Sequence, residues 1–145
     1  MNVFIVGAGP GDPELITVKG QKLLSEADVI IYAGSLVNPA LLDYAKAGCE
    51  IHNSASMTLP QVINVIEDGV KHGKMVVRLH TGDPSIYGAI QEQMDALDKL
   101  GIEYKVVPGV SSFLATAAAL KQEYTLPGIS QTVIITRNEG RTPVP

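Results

Sequence analysis

Three short segments hold most of the residues whose types and spacing suit chemistry. They are Gly7-Ala8-Gly9-Pro10-Gly11-Asp12-Pro13, His80-Thr81-Gly82-Asp83-Pro84-Ser85-Ile86-Tyr87-Gly88 and Pro108-Gly109-Val110-Ser111-Ser112. Each follows an apolar, β-rich run. Gly-Asp-Pro occurs in both of the first two. Once, it is an ordinary turn; twice, past strand ends, it points to a ligand-facing rim. Gly82 leaves backbone open to a ligand. Asp83 can accept hydrogen bonds from an amine or hydroxyl, or merely cap its own turn. Ser111 and Ser112 can cap a helix or, with free N–H groups, grip a cofactor. The first segment superficially matches a dinucleotide fingerprint. That fingerprint needs a helix to start at once, so that its N-terminus faces the pyrophosphate. Pro10 and Pro13 bracket the turn here, Asp12 takes the third glycine position, and no ribose-binding acid ends the second β run. The loop is better read as a rigid wall. No Ser–His–acid set is evident, and His52, His72, His80 and Cys49 lack metal-ligand spacing. His72 belongs to a polar helix end, whereas His52 and His80 fall at strand ends and can face a cleft.

The elements that must position these loops alternate regularly. β runs fall at Val3–Val6, Val29–Tyr32, Glu50–Asn53, Met75–Leu79, Tyr104–Val107 and Thr132–Thr136. Between them, Ile16, Gly20, Leu23, Leu24 and Ala27 share one helix face, with Thr17 as N-cap. Leu59, Val62, Ile63, Ile66 and Val70 form another, capped by Thr58. Ile90, Met94, Leu97 and Gly101 mark a third. Ser111–Leu120 is Ala-rich and apolar all round, which predicts a buried helix. Near-continuous apolar strands alternating with helices imply a parallel sheet covered on both faces. Ligands bind such sheets outside the carboxyl ends of the strands, which is where the three segments lie. Lys121–Ser130, with Pro127 and Gly128, reads as a connector. The strand at Thr132–Thr136 has no following helix, and Arg141–Pro145 is an unnatural finish for a packed element, so the chain is expected to continue.

The 145 residues are 46% hydrophobic and 18% charged, a globular composition for one domain's length. A net charge of −4 disfavours nucleic acid as a partner. The lone Cys49 excludes an intrachain disulfide and fits a reducing cytoplasm. Met1–Gly9 lacks the basic region of a signal peptide, and no apolar run approaches the ~18 residues of a membrane span.

In order, VGAGPGDPELITVK from Val6 to Lys19, Ala27–Tyr32, Arg78–Pro84 and Val107–Ser112 resemble the tetrapyrrole methylase family along essentially the whole chain. Within it, Tyr32–Val37, Ser54–Leu59 and Thr136–Pro143 resemble the branch that acts on precorrin-4. Ala33 is an informative departure, because the uroporphyrinogen methylases carry an Asp there, proposed as a proton acceptor. The resemblance implies a three-layer α/β sandwich with a five-stranded parallel sheet in the order 3-2-4-1-5, the first of two domains. Met1–Leu120 would be that domain, and Lys121–Pro145 the connector and first strand of the second. It implies S-adenosylmethionine as cofactor, held by Pro10, Thr81, Gly82, Asp83, Ile86, Ser111 and Ser112, and a tetrapyrrole substrate. It also implies a cytoplasmic homodimer with neither membrane nor nucleic-acid partners.

The implied reaction is methylation of a macrocycle carbon in cobalamin biosynthesis. The sulfonium methyl is already activated, so no covalent nucleophile and no metal is expected from the protein, and catalysis is mostly positioning. A polycarboxylate substrate needs basic groups nearby, for which His52, His80, Arg137 and Arg141 are the candidates. The chain alone would be inactive, lacking its second wall. Rival readings are another precorrin or uroporphyrinogen methylase, a nicotinamide-dependent oxidoreductase and a non-catalytic binding module.

Overall fold

The computed structural model describes residues 2–140 and Val144. Five short strands, β1 (Val3–Gly7), β2 (Val29–Tyr32), β3 (Glu50–Asn53), β4 (Val76–His80) and β5 (Tyr104–Val107), form one sheet in the order β3-β2-β4-β1-β5. Every pairing is parallel, with Val76 opposite both Val3 and Val29, and Val3 opposite Tyr104. The expected order is borne out. It sets β4, β1 and β5 side by side, so the three candidate loops leave the same edge as neighbours.

Strand alternation divides the core between two faces. Val6, Ile30, Val77 and Leu79 point to one face and pack with Leu23 and Leu24 of α1 (Val18–Glu26) and with Ala27, its C-cap. Val3, Val29, Ile31 and Val76 point to the other, against Val62, Ile63 and Ile66 of α2 (Leu59–Lys71) and Leu97 of α3 (Ile90–Lys99). The helices start where expected. Thr17 accepts the Gly20 N–H at 3.0 Å. Thr58 and Gln61 form a reciprocal capping box: the Thr58 hydroxyl accepts the Gln61 N–H at 3.4 Å, and the Gln61 carbonyl accepts the Thr58 N–H at 2.8 Å.

The chain divides into two compact units, Met1–Ser112 and Phe113–Pro145. The first holds the whole sheet. In the second, most of α4 (Ser112–Leu120) is followed by a turn in which the Leu126 N–H donates to the Ser130 carbonyl at 2.9 Å. The Tyr124 hydroxyl donates to the Phe113 carbonyl, and the two rings lie 6.4 Å apart.

Two expectations fail in this unit. The all-apolar α4 is not buried: Ala117 is, but Leu114 and Leu120 are 51% and 63% exposed. A helix apolar all round needs cover on every side, and the described residues do not supply it. Thr132–Thr136 forms no strand, since β structure requires a partner and none among the described residues pairs with it. Among the described residues, no helix is long and apolar enough to cross a membrane, and no group of three or more His, Cys, Asp or Glu could hold a metal ion.

Candidate functional site

The three loops are locked together through their glycines. At the end of β1, Ala8 donates its N–H to the His80 carbonyl at 2.6 Å, extending the ladder into the loop. Gly9 and Gly82 then pair antiparallel: the Gly82 N–H donates to the Gly9 carbonyl at 2.8 Å, and the Gly9 N–H to the Gly82 carbonyl at 3.2 Å. Gly7, Gly82 and Gly109 meet backbone to backbone. A methyl group on Gly7 would stand 2.6 Å from the Gly82 carbonyl oxygen and 2.7 Å from the Gly109 Cα, and one on Gly109 would strike the same oxygen. Gly82 has φ +59°, a conformation that costs an L side chain roughly 1–2 kcal/mol. The glycines are thus used for close approach, as the rigid-wall reading requires. The dinucleotide reading fails structurally as well. A single 3-10 turn at Pro13–Leu15, capped by Asp12, follows the glycines, and α1 begins only at Val18.

Asp83 fastens the second loop to the third. One carboxylate oxygen accepts the Ser85 N–H at 2.8 Å, capping its own turn. The other accepts the Gly109 N–H at 2.9 Å, across 26 positions in sequence. Sequence reading offered turn cap or ligand acceptor and missed this cross-loop bond, for which the sequence holds no signal. Each oxygen keeps a further lone pair for a ligand. Asn38 plays a similar part in the first loop. It donates to the Gly11 carbonyl at 2.7 Å while capping the 3-10 segment Pro39–Tyr44.

Pro10, Thr81, Gly82, Asp83, Ile86 and Ser111 therefore lie on three adjacent loops at one sheet edge, and Ser112 follows the third as the first residue of α4. Pro10, Thr81 and Asp83 are half-buried, Ile86 and Ser112 are exposed, and Gly82 and Ser111 are buried. The segment that carries Ile86 is held in an unusual backbone. Tyr87 and Ala89 have φ of 55° and 49°, and Gly88 approaches the Pro84 carbonyl too closely for any side chain. Two left-handed non-glycine residues store of order 1–3 kcal/mol each, and the surrounding bonds must hold them there.

The substrate candidates fare differently. His80 is the last residue of β4, not the first of the loop, so alternation turns its ring the same way as Arg78, beneath α3. It is 4% exposed and does not line a rim. Burial, with the positive charge of Arg78 adding to it, lowers its pKa to about 4, so it is neutral near pH 7. His52 lies along the edge strand β3, where its Nε2 is 2.7 Å from Glu50; Glu50 also accepts from Lys74 at 3.1 Å. Lys74 and His52 together hold the Glu50 carboxyl below its usual range. Arg137 belongs to the second unit and donates to the Asn138 carbonyl at 3.3 Å. Arg141 lies outside the described residues.

Beneath the middle loop is a buried polar cluster that the sequence reading passed over. Arg78, in the core of β4, is 6% exposed and, among the described residues, forms no ion pair with a carboxylate. Its Nε donates to the Gln93 carbonyl at 3.1 Å and its Nη1 to the Ile31 carbonyl at 3.2 Å. Burial lowers its pKa to about 10, which leaves it charged. The signal was present: an arginine inside an apolar β run, and a glutamine at the i+3 position between Ile90 and Leu97.

With the geometry in place, comparison with known proteins is direct. The sequence pattern of the tetrapyrrole (corrin/porphyrin) methylases matches residues 2–144, and the chain belongs to that family. It is 66% identical to the cobalt-precorrin-4 C(11)-methyltransferase of Methanocaldococcus jannaschii over 99% of its own length and 55% of the relative's. The X-ray structure of a cobalt-precorrin-4 methyltransferase, CbiF, superposes with a TM-score of 0.95 at 55% identity, covering 99% of this chain and 60% of that one. The uroporphyrin-III C-methyltransferase of Thermus thermophilus, solved with S-adenosylhomocysteine, gives 0.75 at 34% identity over 91% of this chain and 53% of that one. The chain thus spans little more than half the length of the relatives it matches.

Proposed function

We propose that this chain carries the N-terminal half of an S-adenosylmethionine-dependent C-methyltransferase. It would convert precorrin-4, or its cobalt form, to the corresponding precorrin-5 in cobalamin biosynthesis. The observation that carries the reading is the 66% identity to a cobalt-precorrin-4 methyltransferase, sustained over 99% of the chain. Ala33 supports the precorrin-4 branch over the uroporphyrinogen one.

When bound, the cofactor supplies an already activated methyl group. The protein's own residues do the rest by positioning, which can be worth roughly 7–11 kcal/mol of barrier in well-oriented systems. Pro10, Gly82, Asp83, Ser111 and Ser112 fit such a ligand, because the glycine junction offers bare backbone that cannot shift. Thr81 and Ile86 flank it. Arg137, Arg141 and His52 are the basic residues assigned to the substrate's carboxylates; the burial of His80 speaks against that role for it. Homodimeric assembly in the cytoplasm belongs to the same reading.

The test is chemical-shift mapping with S-adenosylhomocysteine, beside turnover of precorrin-4 by the full-length protein and by this chain. Amide shifts should concentrate around Gly82 and Ser111 and spare α2, and turnover should require the full-length protein. No shift in either loop at millimolar ligand would remove the cofactor site. Equal turnover by both would overturn the assignment of this chain as half an enzyme.

A further inference from the structure

The loop from His80 to Ala89 is gripped from below at both of its ends by one side chain. Gln93, on α3, is 6% exposed. Its carbonyl accepts from Arg78, which fixes the orientation of the amide, so its nitrogen must face the other way and donate. That nitrogen meets the Ala89 carbonyl at 3.1 Å and His80 Nε2 at 3.5 Å. His80 opens the loop and Ala89 closes it. Between them lie Gly82 and Asp83, and the left-handed Tyr87 and Ala89.

A primary amide nitrogen can only donate, so His80 Nε2 must accept, and the imidazole proton is on Nδ1. The charged group that acts on this ring is Arg78. A buried arginine without a carboxylate is an expensive way to fill a core. Here it orients a residue that touches both loop ends.

We infer that Gln93 is a positioning residue, fixing the His80–Ala89 loop at the ligand-facing edge by holding Arg78, His80 and the Ala89 carbonyl in one network. The ligand readout below rests on the methyltransferase reading; the loop readout does not.

The experiment compares the full-length protein with its Gln93→Glu variant. Glutamate keeps the acceptor for Arg78 but has no donor. The Ala89 carbonyl loses its side-chain donor, and His80 must carry a proton on Nε2 to meet the carboxylate. Imidazole 15N shifts should report the Nδ1–H form in the parent and the Nε2–H form in the variant, a change no general loosening produces. Amide signals from Gly82 to Ala89 should move with it, and S-adenosylhomocysteine should bind up to about tenfold more weakly, as for the loss of one hydrogen bond that holds the loop. A tautomer change with unmoved loop amides and unchanged affinity would overturn the proposal. If the parent itself fails to bind S-adenosylhomocysteine, the methyltransferase reading falls, and the loop amides still decide the role of Gln93. Should Gln93→Glu not fold, Gln93→Met, of similar volume and without polar atoms, decides by the same amides: displaced from Gly82 to Ala89 and undisturbed in α2, or the inference is wrong.

Discussion

Replacing Gly7 by alanine tests whether the loops form one rigid junction. Gly7 is not among the glycines with positive φ, so its backbone already suits alanine and no conformational strain is added. The whole effect is steric. The new methyl would meet the Gly82 carbonyl oxygen at 2.6 Å, and the Gly109 Cα and N at 2.7 Å. All three are backbone atoms, so none can rotate away. Ordinary contact requires a displacement of between about half and one ångström. Moving Gly82 stretches its bonds to Gly9, and moving Gly109 stretches its bond to Asp83. Overpacking costs about 1–3 kcal/mol, and one or two weakened hydrogen bonds add about 1 kcal/mol each. The sum is about 2–5 kcal/mol, or a fall in Tm of roughly 5–20 °C for a chain of this size. Gly101→Ala is the control. Its methyl meets nothing within 4 Å but has to adopt φ +67°, a penalty of about 1–2 kcal/mol. Denaturant unfolding of both variants supplies the comparison. If Gly7→Ala costs under about 0.5 kcal/mol, or less than Gly101→Ala, the three loops yield independently and the rigid-junction argument is wrong.

Asp83→Ala leaves the Gly109 N–H without its partner and should cost about 1–3 kcal/mol while keeping the fold; turnover of precorrin-4 should fall sharply, and a variant with parental turnover would make Asp83 a turn residue only. His80 makes stability pH-dependent: its folded pKa of about 4 lies below the ordinary 6.5, so unfolded chains bind the extra proton first and stability declines as pH falls from 6.5 towards 4. Between pH 7 and 5 the expected loss is about 2 kcal/mol, measured by denaturant unfolding, and His80→Phe should flatten that slope; an unchanged slope would place the responsible group elsewhere.

Much of the fold can be read in the sequence because local chemistry and tertiary structure agree. Thr17 and Thr58 cap the helices that their positions announce, and the central strands β1, β2 and β4 are buried as their apolar runs require. Agreement ends where an element depends on a partner. Thr132–Thr136 has the composition of a strand, but a strand is a relation between two segments. The apolar surround of α4 says that the helix wants cover and cannot say whether these residues supply it. His80 shows a finer limit. Whether a histidine is the last residue of a strand or the first of a loop decides if its ring lies in the core or in a cleft. A boundary one residue out therefore reverses the functional reading.

The site was legible as a place and not as a mechanism of assembly. Loop composition marked where backbone must come close, since only glycine tolerates what happens at Gly7 and Gly109. What holds the loops together runs between residues far apart in the chain: Asp83 to Gly109, Asn38 to Gly11, Gln93 to Arg78. None of these pairs has a spacing that a sequence pattern could single out. Asp83 and Asn38 share one logic. A side chain with two or more hydrogen-bonding atoms caps a local turn or helix with one and reaches another element with the next, so local folding places the group that makes the long-range bond. These bonds can therefore make the rim rigid. That rigidity is what a reaction needs when its catalysis is mostly the holding of two reactants in line.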